Sequence, residues 1–426
     1  MVIIWLWRCV AYFGHGIYRA GVRHSFRGAS DILWMTKYLR FRQRRHGALI
    51  SAALLVALSV ALMMSASPAR AFDTSAAQVI MVDDITGAVL FEKSSDSLMH
   101  PASMSKLMTL YVTFGLIAEG QLSLDTELSV SERAWRMGGS RMFVDVGSRV
   151  SVRDLLRGII IQSGNDACVV LAEGIAGSES EFVSLMNKKA TSIGLSSSNF
   201  MNVTGWPHPD HLTTARDLAV LAHRIIHDFP QFYRIFEEKQ FEHNDITQAN
   251  RNPLLGKYHG ADGLKTGHTE AAGYGLTASA LRDGRRIILV ANGMTSSKQR
   301  SSEAERLLDH GFQNFRNYDL FKAGDVIDEI DVWLGKDNAV PLVIDNDVTL
   351  TLSRTARAGM VVRVLRPEGP VAAPVETGQT VANLNIAAPG MRTINIPLKA
   401  GRSVERLSGF GRIGAAFSYL IWGEQG

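Results

Sequence analysis

The feature that most constrains the fold of this 426-residue chain is a change of pattern near Asn317. Before that point, helical periods of apolar residues are mixed with extended apolar runs, whereas from 320 to 399 short β-rich runs alternate with turns. Several short strands separated by turn signals are typical of an all-β domain. We therefore predict an α+β domain at 72–316, followed by a small all-β domain at 317–402.

The first domain should contain an antiparallel hairpin, several helices and a second pair of strands. The apolar periods and turn residues predict these elements. The hairpin is expected at 78–92, the helices at 102–118, 151–176, 179–193, 214–228 and 301–316, and the strands at 274–280 and 286–293.

Residues 1–71 have the pattern of an export signal. Basic residues at 42–45 precede an apolar stretch at 48–64 and an Ala-Arg-Ala sequence that ends at Ala71, after which we expect cleavage. The alternative is an uncleaved anchor, for which an apolar stretch of about 17 residues is short. Met35 would be a more usual start for such a signal.

The basic balance of the chain belongs to this N-terminal segment. Ten Lys/Arg and one Asp give residues 1–71 a charge of +9, which leaves −5 for 72–426 out of the total of +4. The mature part therefore has no basic character that would predict nucleic-acid binding. Two cysteines exclude a disulfide scaffold, and Cys168, within an apolar run, is expected to be a buried structural thiol.

The last residues, 403–426, combine apolar residues at helical spacing with nearby arginines. This pattern is typical of a basic amphipathic helix on a membrane surface. A helix packed against its own domain is the alternative, and three glycines at 409, 411 and 414 weaken either helix.

A Ser-Met-Ser-Lys motif at 103–106 opens the first long predicted helix. The three-residue spacing puts Ser103 and Lys106 on one helical face. A serine hydroxyl needs a base in contact to act as a nucleophile, and burial or a neighbouring cation can keep a lysine amine neutral for that task. The motif is common by composition, so alone it does not establish catalysis.

Two further motifs follow along the chain. Ser163 and Asn165 form a Ser-x-Asn sequence, which also fits an ordinary capped turn. Lys265, Thr266 and Gly267 precede an apolar strand region, and the glycine would let a ligand approach the backbone closely. An ordinary turn at a strand edge is the alternative for that tripeptide.

Two histidine pairs are candidate metal ligands. His208 and His211 flank Asp210, but no further His or Cys completes a zinc set nearby in sequence. His223 and His227 lie four residues apart on a predicted helix without a neighbouring carboxylate, which favours a structural or surface role. We therefore expect no metal and no cofactor.

The order of the three motifs matches the set of penicillin-binding proteins and serine β-lactamases. More specifically, residues 72–426 resemble the low-molecular-mass penicillin-binding proteins that act as D-alanyl-D-alanine carboxypeptidases. This resemblance implies a penicillin-binding/β-lactamase-like catalytic domain, an antiparallel sheet flanked by helices, ahead of the β domain. The stretches that carry it are 101–109, 162–167, 214–217 and 262–269.

The resemblance also implies catalytic roles. Ser103 would attack the peptide carbonyl between two D-alanines, Lys106 would accept its proton, and Ser163 would pass a proton to the leaving amine. The backbone N–H groups of Ser103 and His268 would form the oxyanion hole.

Further residues would bind the substrate in this family. Asn165 would hold the substrate amide, while Lys265 would supply positive potential and help to keep Lys106 neutral. Thr266 and Arg300 would bind the terminal carboxylate, for which a guanidinium offers two parallel hydrogen bonds.

These expectations describe an exported enzyme that trims peptidoglycan pentapeptide stems in the periplasm and is inhibited by β-lactams. The C-terminal helix would hold it on the outer face of the inner membrane. Alternatives of the same fold are a β-lactamase, a D,D-endopeptidase or a serine glutaminase. A catalytically silent cell-wall scaffold is the alternative from another class.

Overall fold

A computed structural model describes residues 72–409 and residue 413 of the chain. The export signal predicted at 1–71 and most of the helix predicted at 403–426 therefore lie outside the described residues. Among the helices that the structure describes, none is long and apolar enough to cross a bilayer.

A five-stranded antiparallel sheet forms the centre of the first domain. Its strands are β1 Gln78–Asp83, β2 Val89–Lys93, β7 Ala261–Thr269, β8 Gly273–Arg282 and β9 Arg285–Met294. They follow the order β2-β1-β9-β8-β7, so among the described strands β7 pairs only with β8. Consecutive residues 287–291 of β9 are all buried, and because side chains alternate between the two faces of a strand, both faces are covered.

Two short ribbons accompany this sheet. They are β3 Glu127–Ser129 with β4 Arg149–Ser151, and β5 Gln240–His243 with β6 Ile246–Ala249.

Helices surround the sheet and form most of the apolar core of this domain. The α-helices are α1 Lys106–Ala118, α2 Glu132–Trp135, α3 Val152–Ile161, α4 Asn165–Ala176, α5 Glu179–Ser192, α6 Ala215–Asp228, α7 Pro230–Tyr233 and α8 Ser297–Asn314. Two 3-10 helices lie at Ala102–Ser105 and Arg234–Glu237. Helices α6 and α8 pack against the sheet, whereas α1 lies between the packed helices and is buried from Lys106 to Gly115.

Side-chain caps fix where two of these helices begin. The Ser151 hydroxyl accepts a hydrogen bond from Asp154 N at 3.1 Å at the start of α3. Thr214 accepts one from Asp217 N at 3.0 Å at the start of α6. Such caps satisfy N–H groups that the first helical turn leaves without partners.

The helix predicted at 151–176 is wrong as a single element, because the structure divides it into α3 and α4. Ser163 lies between them with φ +63°, a left-handed conformation that a continuous right-handed helix cannot contain. The buried carboxylate of Asp166 holds the adjacent loop by accepting hydrogen bonds from the backbone N–H groups of Met142 and Phe143, each at 2.8 Å. The break leaves Ser163 and Asn165 at the start of α4.

The second domain is all-β apart from one short helix in the described residues, as the sequence pattern predicts. One sheet has the order β14-β16-β17-β12-β11-β15, and β10 pairs separately with β13. Its elements are β10 Phe315–Phe321, β11 Val326–Trp333, β12 Ala339–Val343, β13 Val348–Ser353, α9 Arg354–Ala358, β14 Val361–Leu365, β15 Val371–Ala372, β16 Thr380–Ala387 and β17 Ile394–Ala400. It has an apolar core of its own.

Residues after β17 remain attached to this domain. Val404 is buried and exchanges backbone hydrogen bonds with Val375. Leu407 N donates to the Leu334 carbonyl at 2.9 Å. Residues 403–407 are thus bridged to the β domain and are not helical, so the helix predicted from residue 403 does not include them.

The two domains are joined at the turn after β1. The fully buried carboxylate of Asp83 lies 2.8 Å from Arg285 Nε and accepts a hydrogen bond from Asn317 Nδ2 at 3.3 Å. Arg285 also donates to the Phe315 carbonyl at 2.8 Å, at the start of β10. This ion pair links the end of β1, the start of β9 and the first strand of the β domain.

Candidate active site

Ser103 lies on the 3-10 helix that precedes α1, and Lys106 is the first residue of α1. The three-residue spacing brings Lys106 Nζ to 3.0 Å from Ser103 Oγ, as the motif predicts. Nζ also donates to the backbone carbonyl of Thr204 at 2.5 Å. Ser103 is half-buried while Lys106 is fully buried, so the hydroxyl rather than the amine is open to an approaching substrate.

Two buried lysines determine the electrostatics of the site. Burial is the main cause that lowers the pKa of Lys106 to about 8, and the charge of Arg251 acts in the same direction. Burial, followed by the charges of Lys106, Arg251 and Arg300, holds the pKa of Lys265 well below the usual range of a lysine. The charge of Lys106 therefore makes protonation of Lys265 less favourable.

Ser163 and Asn165 present unpaired polar atoms at the break between α3 and α4. Asn165 Nδ2 donates to the Gly138 carbonyl at 2.8 Å, which fixes the side chain. Asn165 Oδ1 and Ser163 Oγ are buried and have no hydrogen-bond partner in the described structure. Buried polar atoms are normally paired, so this pair is suited to meet the polar groups of a ligand.

Lys265, Thr266, Gly267 and His268 lie on the edge strand β7, not at a turn. A side chain at Gly267 would bring its Cβ to 2.9 Å from the Pro101 carbonyl oxygen, so only glycine lets β7 lie against the chain that carries Ser103. The edge position leaves one side of this strand without a strand partner within the described sheet.

Arg300 joins the site from α8. It is buried, its guanidinium lies 5.6 Å from the centre of the Tyr274 ring, and Tyr274 in turn stacks on His268 with 3.9 Å between ring centres. Arg300 Nε has no partner in the described structure. The charge of Arg300 also contributes to the lowered pKa of Lys265. The structure thus brings together the three sequence motifs and Arg300.

The sequence motifs did not point to the segment 202–206, which closes the site beside Ser103. Gly205 has φ +81°, and a Cβ there would overlap the Ala102 carbonyl oxygen. This close approach positions the Thr204 carbonyl to accept the hydrogen bond from Lys106. The indole of Trp206 then lies over Gly138, with the nearest indole carbon 3.7 Å from the position of a Cβ.

Arg251 and Asp166 were also missed. Arg251 lies on the loop after β6, where Nη1 donates to Ser140 Oγ at 2.7 Å, and its charge acts on both buried lysines. Asp166 holds the 142–144 loop through backbone N–H groups. For Asp166, its place in the second motif was the available signal; for Arg251 the sequence carries none.

Cys168 is buried, which confirms the interpretation of this residue as a structural thiol. Burial raises its pKa to about 12. The reactive thiolate is therefore disfavoured near neutral pH, and the hydroxyl of Ser103 is the candidate nucleophile of the site.

A serine in contact with a buried lysine, a second serine on a helix break and a lysine on an edge strand define a serine acyl-transfer site of the penicillin-binding fold. Family models agree on this class: residues 63–296 match the D-alanyl-D-alanine carboxypeptidase family, and residues 315–406 match the C-terminal domain of penicillin-binding protein 5. The chain belongs to the D-alanyl-D-alanine carboxypeptidase family.

Individual relatives agree with this membership. The chain is 37% identical over 341 residues to the D-alanyl-D-alanine carboxypeptidase DacC of Escherichia coli, which covers 78% of this chain and 85% of the relative. It is similar in structure to penicillin-binding protein 5 from Haemophilus influenzae, with a TM-score of 0.70, 36% identity and coverage of 79% of this chain and 99% of that one.

A solved structure with a bound β-lactam also resembles this chain. Penicillin-binding protein D2 from Listeria monocytogenes in its ampicillin-bound form matches with a TM-score of 0.52 and 28% identity, over 57% of this chain and 98% of that one. The fold is therefore α+β, with a penicillin-binding-protein catalytic domain and an all-β C-terminal domain, as predicted.

Proposed function

We propose that this chain is a serine-type D-alanyl-D-alanine carboxypeptidase that removes the terminal D-alanine from peptidoglycan pentapeptide stems. The observation that carries the proposal is the 3.0 Å contact between Ser103 Oγ and Lys106 Nζ. Because burial lowers the pKa of Lys106 to about 8, about one tenth of this lysine is neutral at pH 7. A neutral amine in that position is a competent general base.

In the first step, Ser103 Oγ forms a bond to the carbonyl carbon between the two D-alanines, and its proton moves to Lys106. The carbonyl oxygen becomes an oxyanion, which the backbone N–H groups of Ser103 and His268 stabilise. The close approach of β7 to the 3-10 helix, which Gly267 permits, supports this pairing of two backbone donors.

Collapse of the oxyanion breaks the bond to the leaving D-alanine and produces an ester on Ser103. The leaving nitrogen needs a proton, and Ser163 Oγ, buried and without another partner in the described structure, supplies a route for it. Asn165 binds the substrate amide through its free Oδ1.

The terminal carboxylate of the substrate is bound by Thr266 and Arg300. Arg300 has an unpaired Nε and lies beside Tyr274 and His268, which directs its charge toward the end of β7. When charged, Lys265 would add positive potential and favour the neutral form of Lys106; the two amines are close enough that the charge of Lys106 lowers the pKa of Lys265. In the second step, water attacks the ester, and Ser103 recovers its proton.

A β-lactam enters the same chemistry, because its strained amide presents a carbonyl to Ser103 and its carboxylate to the Thr266 and Arg300 pair. Opening of the ring leaves the amine tethered to the adduct, so it does not diffuse away as D-alanine does. We therefore propose that β-lactams acylate this chain covalently.

The experiment follows the intact mass of the purified protein over time with benzylpenicillin, and then D-alanine release from a pentapeptide. We expect one persistent adduct per chain on Ser103, and no adduct on a folded Ser103→Ala variant. Labelling that persists in Ser103→Ala would contradict the nucleophile assignment.

Other results would favour the alternatives. An adduct that clears quickly with bulk drug hydrolysis would indicate a β-lactamase, and the absence of any adduct on folded protein would indicate a silent scaffold or a glutaminase. Cleavage of cross-linked peptides in place of pentapeptides would indicate an endopeptidase.

We propose further that the enzyme is exported, loses residues 1–71 and acts in the periplasm on the outer face of the inner membrane. The support is the basic and apolar pattern of 42–71 and the apolar spacing of 403–426. A surface helix at the C-terminus would keep the site close to a polymer that lies just above the membrane.

A further inference from the structure

Three side chains of types that can bind metals lie close together outside the serine site. Asp84 follows β1, while His223 and His227 lie one turn apart on α6 and share a face of that helix. Asp84 Oδ1 lies 2.7 Å from His223 Nδ1, and Asp84 Oδ2 lies 2.9 Å from His227 Nε2. One ligand atom of each residue lies within 4.8 Å of the other two.

We propose that Asp84, His223 and His227 form a binding site for a divalent transition-metal ion of the Zn²⁺ type. Two imidazole nitrogens and one carboxylate oxygen are a donor set that zinc accepts, with water as the fourth ligand. Ca²⁺ and Mg²⁺ prefer sets of oxygen atoms and are disfavoured here. Two histidines at i and i+4 are also the spacing with which helices elsewhere present paired zinc ligands.

The burial of the three side chains suits an ion that arrives from solvent. The Asp84 side chain is 4% exposed, whereas those of His223 and His227 are 45% and 51% exposed. The carboxylate is thus held in place by its surroundings. The two exposed rings have room to rotate, and solvent can reach the position where water would be the fourth ligand. Ligands around a tetrahedral zinc lie about 3.3 Å apart. The two hydrogen-bond contacts therefore need to widen by about half an ångström, and ligand atoms as far as 4.8 Å apart need to approach.

Arg286 is the cation that competes for this carboxylate. Its Nε lies 3.9 Å from Asp84 Oδ2, whereas its Nη1 lies 2.6 Å from Asp262 Oδ2. The main ion pair of Arg286 is therefore with Asp262. The backbone N–H of Asp84 donates to the Arg286 carbonyl at 3.0 Å, which fixes the turn. A metal ion would therefore supply positive charge to a carboxylate that is nearly excluded from water and only partly neutralised.

Binding would stabilise the protein without acting on Ser103. The ion would tie the turn after β1 to α6, and the same turn contacts the β domain, since Thr86 Oγ1 lies 2.5 Å from Thr351 Oγ1. The sequence could not indicate this site, because the carboxylate precedes the histidines by 139 and 143 residues.

The test titrates the purified protein, stripped with EDTA and dialysed, with Zn²⁺ alone against a chromophoric zinc indicator. The variants are Asp84→Asn, His223→Gln and His227→Gln, and the matched control is His259→Gln, which alters an exposed histidine outside the group. Circular dichroism establishes that each variant is folded. We expect one bound zinc per chain in the wild type and the control, and at least a tenfold weaker affinity in each of the three variants.

Two further readouts make the outcome decisive. Zn²⁺ should raise the Tm of the wild type and of His259→Gln, and should leave the Tm of folded His223→Gln and His227→Gln unchanged. Diffraction data collected at the zinc absorption edge should place an anomalous peak between Asp84 and the two rings. Equal titrations in all variants, an equal rise in Tm, or a peak elsewhere would overturn the proposal.

Discussion

At the residue scale, the chemistry proposed for Ser103 depends on the proton on Lys106. A buried lysine with a pKa of about 8 is mostly charged at pH 6 and mostly neutral at pH 9. Only the neutral form accepts the proton of Ser103, so the rate of acylation should follow the neutral fraction. The charge of Arg251 lies close enough to affect that fraction.

The first prediction is a pH profile for acylation by benzylpenicillin, measured by rapid quench. Below about pH 8 the rate should rise about tenfold per pH unit, because the neutral fraction of Lys106 rises by that factor. Above pH 8 the rate should level off. A rate that is flat from pH 6 to pH 9 would show that Lys106 is not the titrating base.

The second prediction concerns Arg251, whose charge lowers the pKa of Lys106. In Arg251→Gln the pKa of Lys106 should rise, so the midpoint of the profile should move to higher pH and acylation at pH 7 should slow. Because Arg251 is exposed, the displacement should stay below about one pH unit. The matched variant Arg251→Lys keeps the charge and should keep the midpoint; an unmoved midpoint in Arg251→Gln would contradict the argument.

Spacing alone predicted the contact between Ser103 and Lys106, which lie within one helical turn, while their catalytic roles came from the family resemblance. The low pKa of Lys106 arises from burial among segments far away in sequence. No sequence pattern identifies Arg251 or the Thr204 carbonyl. A single arginine is common in any sequence, and every residue has a backbone carbonyl. Family resemblance supplied Arg300, which spacing could not.

At the scale of elements, the site is assembled by close contacts between backbones. The segment that contains Gly205 lies against the Ala102 carbonyl, just before Ser103, and the same segment provides the carbonyl that Lys106 binds. The break between α3 and α4 places the buried Ser163 beside the other motifs because its backbone leaves the helical region. Apolar periodicity continues through that break, which is why the sequence predicted one helix there.

The third prediction compares Gly205→Ala with Gly284→Ala. Both glycines have positive φ, near +81° and +77°, so each substitution should cost about 1–2 kcal/mol of stability in backbone strain. Only at Gly205 would the new Cβ also overlap the Ala102 carbonyl, while nothing lies within 4 Å at Gly284. Displacement of the chain beside Ser103 should then slow acylation at least about a hundredfold.

Thermal unfolding and penicillin acylation rates on the two variants check this prediction. Gly284→Ala should lose a few degrees of Tm and keep its acylation rate. Equal acylation rates in folded Gly205→Ala and Gly284→Ala would show that the close approach at 205 does not position Ser103.

At the scale of the whole molecule, one buried ion pair connects the catalytic sheet with the β domain. Asp83 and Arg285 are 202 residues apart in sequence, and Arg285 reaches the first residue of β10. Local patterns predicted the all-β domain, but they contain no information on such distant pairs. The position of the β domain follows from these contacts and from the continuous passage of α8 into β10.

The last prediction tests whether the C-terminus anchors this assembly to the membrane. Val404 and Leu407 pack on the β domain, so the deletion should begin at residue 410 and leave that packing intact. Without 410–426 the mature protein should move from the membrane fraction to the soluble periplasmic fraction, because the apolar positions of that segment are lost. Removal of 424–426 alone, which keeps the apolar positions, should leave the protein with membranes. If the longer deletion stays with membranes and retains residues 48–64 by N-terminal sequencing, the uncleaved N-terminus is the anchor.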